Sequence, residues 1–127
     1  MSKLAQVMRK VQSSPDAPYC PDTGDIIDIQ LDPQGGREQA GKRPALVLSP
    51  RSYNERARLC VLCLITSQTK QYPFEVTLDG AGKTTGAILA DQVKSLSWEV
   101  RQASFRETAP KQVIDHVRAK IKVLIGV

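Results

Sequence analysis

The hydrophobic period of this chain changes once, near its C-terminal end, and that change limits the fold more than any single motif does. From "TGDIIDIQLDP" onward, apolar residues fall in short runs bounded by Gly, Pro, Asp and Asn. Ile27, Ile29 and Leu31 alternate with Asp28 and Gln30, the pattern of a half-buried strand. "RPALVLSP" reads as a second strand closed by Pro50, and the polar "RSYNERAR" reads as a loop. "LCVLCLIT" is apolar at both parities, so it reads as a central strand covered on both faces. "SQTKQYP" reads as a turn or short loop, "FEVTL" alternates again, and "DGAGKTTG" carries a hairpin signature. "AILADQVKSLSWEV" reads as one or two short strands. Only in "TAPKQVIDHVRAKIKVLIG" does the period lengthen: Ile114, Val117, Ile121 and Leu124 share one face of a helix. Thr108 is suited to cap that helix, Pro110 to its first turn and Gly126 to its end. Strands first and a helix last predict a mainly β fold, a small, strongly curved antiparallel sheet or barrel with one C-terminal helix packed on it.

A chain of 127 residues suits one domain and one core. Residues 1–17 stand apart. Leu4, Val7, Met8 and Val11 recur at helical spacing, and "SSPDAP" follows as a linker-like stretch. The expected division is an arm or linker over 1–17 and a single domain over 18–127. Lys plus Arg number 18 and Asp plus Glu 13, so the net charge is 18 − 13 = +5. That excess favours polyanionic partners, although many small soluble proteins are mildly basic. The most apolar N-terminal stretch, "LAQVM", is too short for a secretory h-region, and no run has the length of a membrane span. Of the three cysteines, Cys60 and Cys63 sit three apart on a strand and should point to opposite faces, a poor geometry for a metal clamp. Cys20 and His116 are isolated. Buried apolar cysteine in a reduced cytoplasm is the simpler reading, with zinc the minor one.

Candidate chemistry gathers at strand ends. The stretch "DPQGGREQAGKRP" places Arg37, Glu38, Lys42 and Arg43 in a glycine-rich loop that opens onto the second strand. Arg43 stands at the strand rim and precedes Pro44, which biases it to extended geometry. Such a guanidinium can clamp a phosphate bidentately, and Glu38 can orient it or take a proton. A solvated loop with a surface ion pair is the alternative. Thr66, Ser67, Thr69 and Lys70 follow the central strand, where hydroxyls can meet phosphate oxygens or simply satisfy a turn. Trp98, Tyr53, Tyr72 and Phe74 could stack bases or fill the core. P-loop, GxSxG and HExxH motifs are missing, and a single histidine excludes a two-histidine nuclease.

Taken together, "YCPDTGDIIDIQLDPQGGREQAGKRPALVLSP", "TSQTKQYPFEVTL", "ADQVKSLSW" and "AKIKVLIG" closely resemble the MazF/PemK toxins in order and spacing, from about Tyr19 to Gly126. The resemblance implies an SH3-like barrel with a C-terminal helix, a homodimer, and the toxin of a type II toxin–antitoxin module. It implies an endoribonuclease that cuts single-stranded RNA without a metal or other cofactor, held in check by an acidic, MazE-like antitoxin. By resemblance Arg43, Glu38 and Thr66 form the catalytic set. Arg37, Gln39, Lys42, Ser67, Gln68, Lys70, Asp91 and Gln92 form the RNA-binding set. The Kid branch assigns acid and base roles to an Arg and an Asp near its "DQ" motif. Asp91 matches that Asp, but Leu89 stands where the Arg would be, and Arg37 replaces a loop histidine. An arginine is a poor base because its pKa exceeds about 12, so Glu38 is the better candidate. A gyrase-poison-like binding toxin of the same fold, without nuclease activity, is the alternative, since fold alone does not settle activity.

Overall fold

The computed structural model describes residues 19–31, 41–78, 80 and 82–127. The helical pattern over residues 4–11 and the loop residues Arg37, Glu38 and Gln39 lie outside them. Among the described residues six strands follow in chain order: β1 Asp25–Gln30, β2 Lys42–Val47, β3 Cys60–Thr66, β4 Glu75–Leu78, β5 Gly86–Leu96 and β6 Ser104–Thr108. Helix α1, Arg51–Ala57, lies between β2 and β3, and helix α2, Lys111–Ile125, ends the chain. The strands form one sheet in the order β4-β5-β3-β2-β1-β6, and every neighbouring pair is antiparallel. The register shifts between Ile26 and Ile27 against β6, and between Cys63 and Ile65 against β5. Such bulges bend a strand and raise its twist, which curls the sheet.

Curling puts apolar side chains to use on both faces. Ile26, Leu46, Cys63, Ile65, Ile88 and Ala90 form one core, onto which Val113, Ile114, Val117 and Ile121 of α2 pack. Ile27, Ile29, Ala45, Val47, Cys60, Leu62 and Trp98 form the other. The alternation of β3 between the two cores, with Cys60 and Leu62 in one and Cys63 and Ile65 in the other, explains why it reads as a continuous apolar run. It also sends Cys60 and Cys63 into different cores, where burial pushes each thiol up to about 12.

Four sequence expectations are corrected. "RSYNERAR" contains a helix, because Asn54 anchors a stretch with no apolar period of its own. Its fully buried side chain donates to the carbonyls of Pro21 (2.8 Å) and Ser49 (3.0 Å) and accepts from the Ser49 hydroxyl (2.6 Å). "GAILADQVKSL" is a single long strand of 11 residues where one or two short ones were expected, because β3 pairs with it toward both ends while β4 adds support over Gly86 to Leu89. Thr108 ends β6 and does not cap α2. Its hydroxyl is buried without a partner, and Pro110 occupies the N-cap position without a side-chain cap. Leu124 is 43% exposed, since α2 runs past the edge of the core it covers. Gly126 does end α2, with φ 77°.

The two edges of the strand order are tied together. Glu107 on β6 accepts the backbone N–H groups of Lys83 (3.0 Å) and Thr84 (2.6 Å) and the Thr84 hydroxyl. Arg106 donates to Thr84 Oγ1 (2.8 Å) and to Asp28 (3.2 Å). A Cβ on Gly82 would lie 2.0 Å from Glu107 Oε1, so any other residue there would push the Glu107 carboxylate out of its present position. This clasp brings the connection that leads into β5 against the opposite edge of the sheet.

Candidate active site

The register of β2 against β3 pairs Ala45 with Leu64. Followed two residues outward on each strand, it sets Arg43 opposite Thr66. Alternation from Val47 and Ala45, and from Leu62 and Leu64, turns both side chains toward the face of the second core. On β1 the partner of Arg43 is the buried Ile29. Arg43 therefore projects from a stiff strand rim while remaining exposed. A pocket of about 210 Å³ opens there, lined by Leu31, Arg43, Leu64, Ile65, Thr66 and Leu89. The sequence reading placed Arg43 and Thr66 at separate strand ends, and the sheet brings them together.

Thr66 is held from two sides. At Gly86, φ is +105° and a Cβ would lie 2.1 Å from the Thr66 carbonyl oxygen, so this close approach demands glycine. Thr66 Oγ1 accepts the Gln68 N–H at 3.1 Å. Because that lone pair is used, the hydroxyl hydrogen is left to donate outward. The pocket thus offers a guanidinium and a hydroxyl donor over an apolar floor of Leu31, Leu64 and Leu89. That set suits an anionic phosphate oxygen flanked by an apolar base or ribose face.

Of the other expected residues, Lys42, Ser67, Gln68, Lys70, Asp91 and Gln92 are all exposed. Lys42 pairs with Gln30 on β1, one residue from Arg43. Ser67, Gln68 and Lys70 follow Thr66 in the loop between β3 and β4. Asp91 is not a free carboxylate, since its Oδ1 accepts the Tyr72 hydroxyl at 2.5 Å. That hydrogen bond, with burial and the charge of Asp91, pushes the phenol up to about 12, so Tyr72 stays a donor at neutral pH. Trp98 cannot stack a base. It is 2% exposed and donates its indole N–H to the Asn54 carbonyl at 3.0 Å. Sequence reasoning passed over Leu31 and Leu64 as site residues. Their only signal was their alternation on strands that end at the pocket. Among the described residues, no three His, Cys, Asp or Glu side chains converge as a metal's ligands would.

A curled antiparallel sheet with one terminal helix, and a cation and a hydroxyl brought together at its strand ends, defines a class of small toxins. The chain belongs to the PemK-like, MazF-like toxins of type II toxin–antitoxin systems, whose pattern matches residues 22–125. It is 48% identical over 108 residues to the endoribonuclease toxin MazF of Escherichia coli K12, covering 85% of this chain and 96% of that protein. The crystal structure of MazF from Deinococcus radiodurans superposes with a TM-score of 0.78 at 45% identity, over 86% of this chain and 99% of that one. A MazE–MazF complex from the same organism gives 0.77 at 40% identity, over 86% and 98%.

Proposed function

We propose that this chain is the toxin of a type II toxin–antitoxin module and an endoribonuclease that cuts single-stranded RNA by transphosphorylation. The observation that carries the reading is the meeting of Arg43 and Thr66 in one pocket of a MazF-type fold. The 2′-oxygen of one nucleotide attacks the adjacent phosphorus. The O2′–P bond forms and the P–O5′ bond breaks, leaving a 2′,3′-cyclic phosphate and a 5′-hydroxyl. The 2′-hydroxyl gives its proton to a base, for which Glu38 is our candidate, and the departing O5′ takes up a proton from solvent water. Arg43 and Thr66 donate to the nonbridging oxygens, whose negative charge grows at the pentavalent phosphorus. Donors already in place at that moment stabilise it without reorganisation. No step in this scheme calls for a metal.

The partners follow the same reading: single-stranded RNA, a second copy of the chain, and an acidic antitoxin like the MazE of the related complex. A net charge of +5 suits both polyanions. Support for a homodimer comes from exposed apolar side chains. Val93 lies on the half of β5 that β4 leaves unpaired, and Val123, Leu124 and Ile125 lie at the end of α2. Among the described residues no helix is long and apolar enough to cross a membrane, and we place the module in the cytoplasm.

The test is incubation of the purified chain with a long single-stranded RNA in excess EDTA, mapping cut sites and end groups. Discrete cuts ending in cyclic phosphate are expected. Arg43→Ala should lower the rate by about a hundredfold to a thousandfold with the fold intact, the scale of losing one preorganised donor. Intact RNA with folded, antitoxin-free protein would point to a binding toxin instead.

A further inference from the structure

The loop between β3 and β4 begins one residue beyond Thr66 and exposes Ser67, Gln68, Thr69 and Lys70. A short polar segment of this kind would ordinarily sample many conformations and lose that freedom on binding. Here its backbone is held by acceptors outside the loop. The Glu75 carboxylate accepts the Lys70 N–H (2.9 Å to Oε2, 3.2 Å to Oε1) and the Gln71 N–H (2.8 Å to Oε1). Gln71 is fixed at φ 57°, a left-handed conformation uncommon for a side chain of this type. The Glu75 N–H in turn donates to the Tyr72 carbonyl at 3.0 Å, and the Tyr72 hydroxyl ties the loop's end to Asp91. Glu75 opens β4 and pairs with Leu89, which lines the pocket. The loop is therefore referenced to the same strands that carry the site.

A carboxylate beside the path of a polyanion is electrostatically unfavourable unless its charge serves the protein itself. We infer that Glu75 is a positioning residue for RNA recognition: its carboxylate holds the 67–71 loop in the shape that presents Ser67, Gln68 and Lys70 to the bases beside the cut phosphate. This rests on the ribonuclease reading. Two opposed effects separate positioning from simple charge. If Glu75 acts only as a negative charge, its removal strengthens RNA binding and KM falls. If it orders the loop, its removal leaves Lys70 and Gln71 without their acceptor, and KM rises.

The experiment measures KM, kcat and the cut-site word for the wild type, Glu75→Ala, Glu75→Gln and Gln71→Val on one RNA. Wild-type cutting is the control, and its failure would count against the ribonuclease reading, not this one. Glu75→Ala is expected to raise KM by roughly tenfold or more, the scale of losing a charge-assisted hydrogen bond, with kcat within about threefold and a relaxed word. Glu75→Gln keeps one acceptor oxygen without the charge and should fall between. Gln71→Val places a β-branched residue at positive φ and should raise KM while Glu75 is still present. If Glu75→Ala does not fold, the other two variants decide. A lowered or unchanged KM in the folded variants, or a loss confined to kcat, would overturn the assignment.

Discussion

At the scale of single residues, Thr66 illustrates how one hydroxyl is committed in advance. With its oxygen accepting the Gln68 N–H, its hydrogen is left free to donate elsewhere. Thr66→Val keeps the shape and removes both functions. It should slow single-turnover cleavage by about a hundredfold or more, while Thr66→Ser should stay within about tenfold of the wild type. Equal rates for the valine and serine variants would remove Thr66 from the chemistry. Arg43 and Thr66 were both legible as candidates, because a cation and a hydroxyl at strand ends stand out against apolar runs. Glu75 was not. In the sequence it is one polar residue of an alternating strand, and its acceptor role exists only once the chain turns back at Gln71.

At the scale of elements, the clasp between β6 and the β4–β5 connection makes a prediction about acid. Burial works to raise the Glu107 pKa, but the Thr84 hydroxyl, the Lys83 and Thr84 N–H groups and the Arg106 charge outweigh it and leave it lowered. A carboxylate with a lowered folded-state pKa stabilises the fold above its unfolded value, near about 4.3. That contribution fades as pH falls through the lower folded value. The melting temperature of the wild type should therefore drop more steeply below about pH 4.5 than that of Glu107→Gln, which has no proton to take up. Parallel melting curves for the two across that window would show the clasp to be energetically silent. Helix α1 belongs to this scale as well. The sequence reads as a loop because helical period is absent there, and the helix forms because Asn54 finds partners on Pro21 and Ser49. By contrast α2 was legible throughout its core-facing length, from Ile114 through Val117 to Ile121, because its period is local.

For the molecule as a whole, the charge balance sets how binding responds to salt. Lys42, Arg43 and Lys70 are exposed at or beside the pocket. If all three meet phosphates, log affinity against log salt should fall with a slope of about −2, and Lys42→Ala should flatten it by about 0.7. Fluorescence anisotropy with a noncleavable RNA measures both, and a slope near zero would argue that the basic surface does not bind the backbone. Local chemistry in the sequence determined the strand and helix periods, the parity that sends Cys60 and Cys63 into opposite cores, and the motifs that mark the family, because each depends on neighbours a few residues apart. Tertiary structure alone decided that Arg43 faces Thr66, that Leu89 reaches the same pocket from β5, that Asp91 is occupied by Tyr72, and that Glu75 accepts the Lys70 and Gln71 N–H groups. Those relations depend on strand register and on bulges between segments distant in the chain, which no local period encodes.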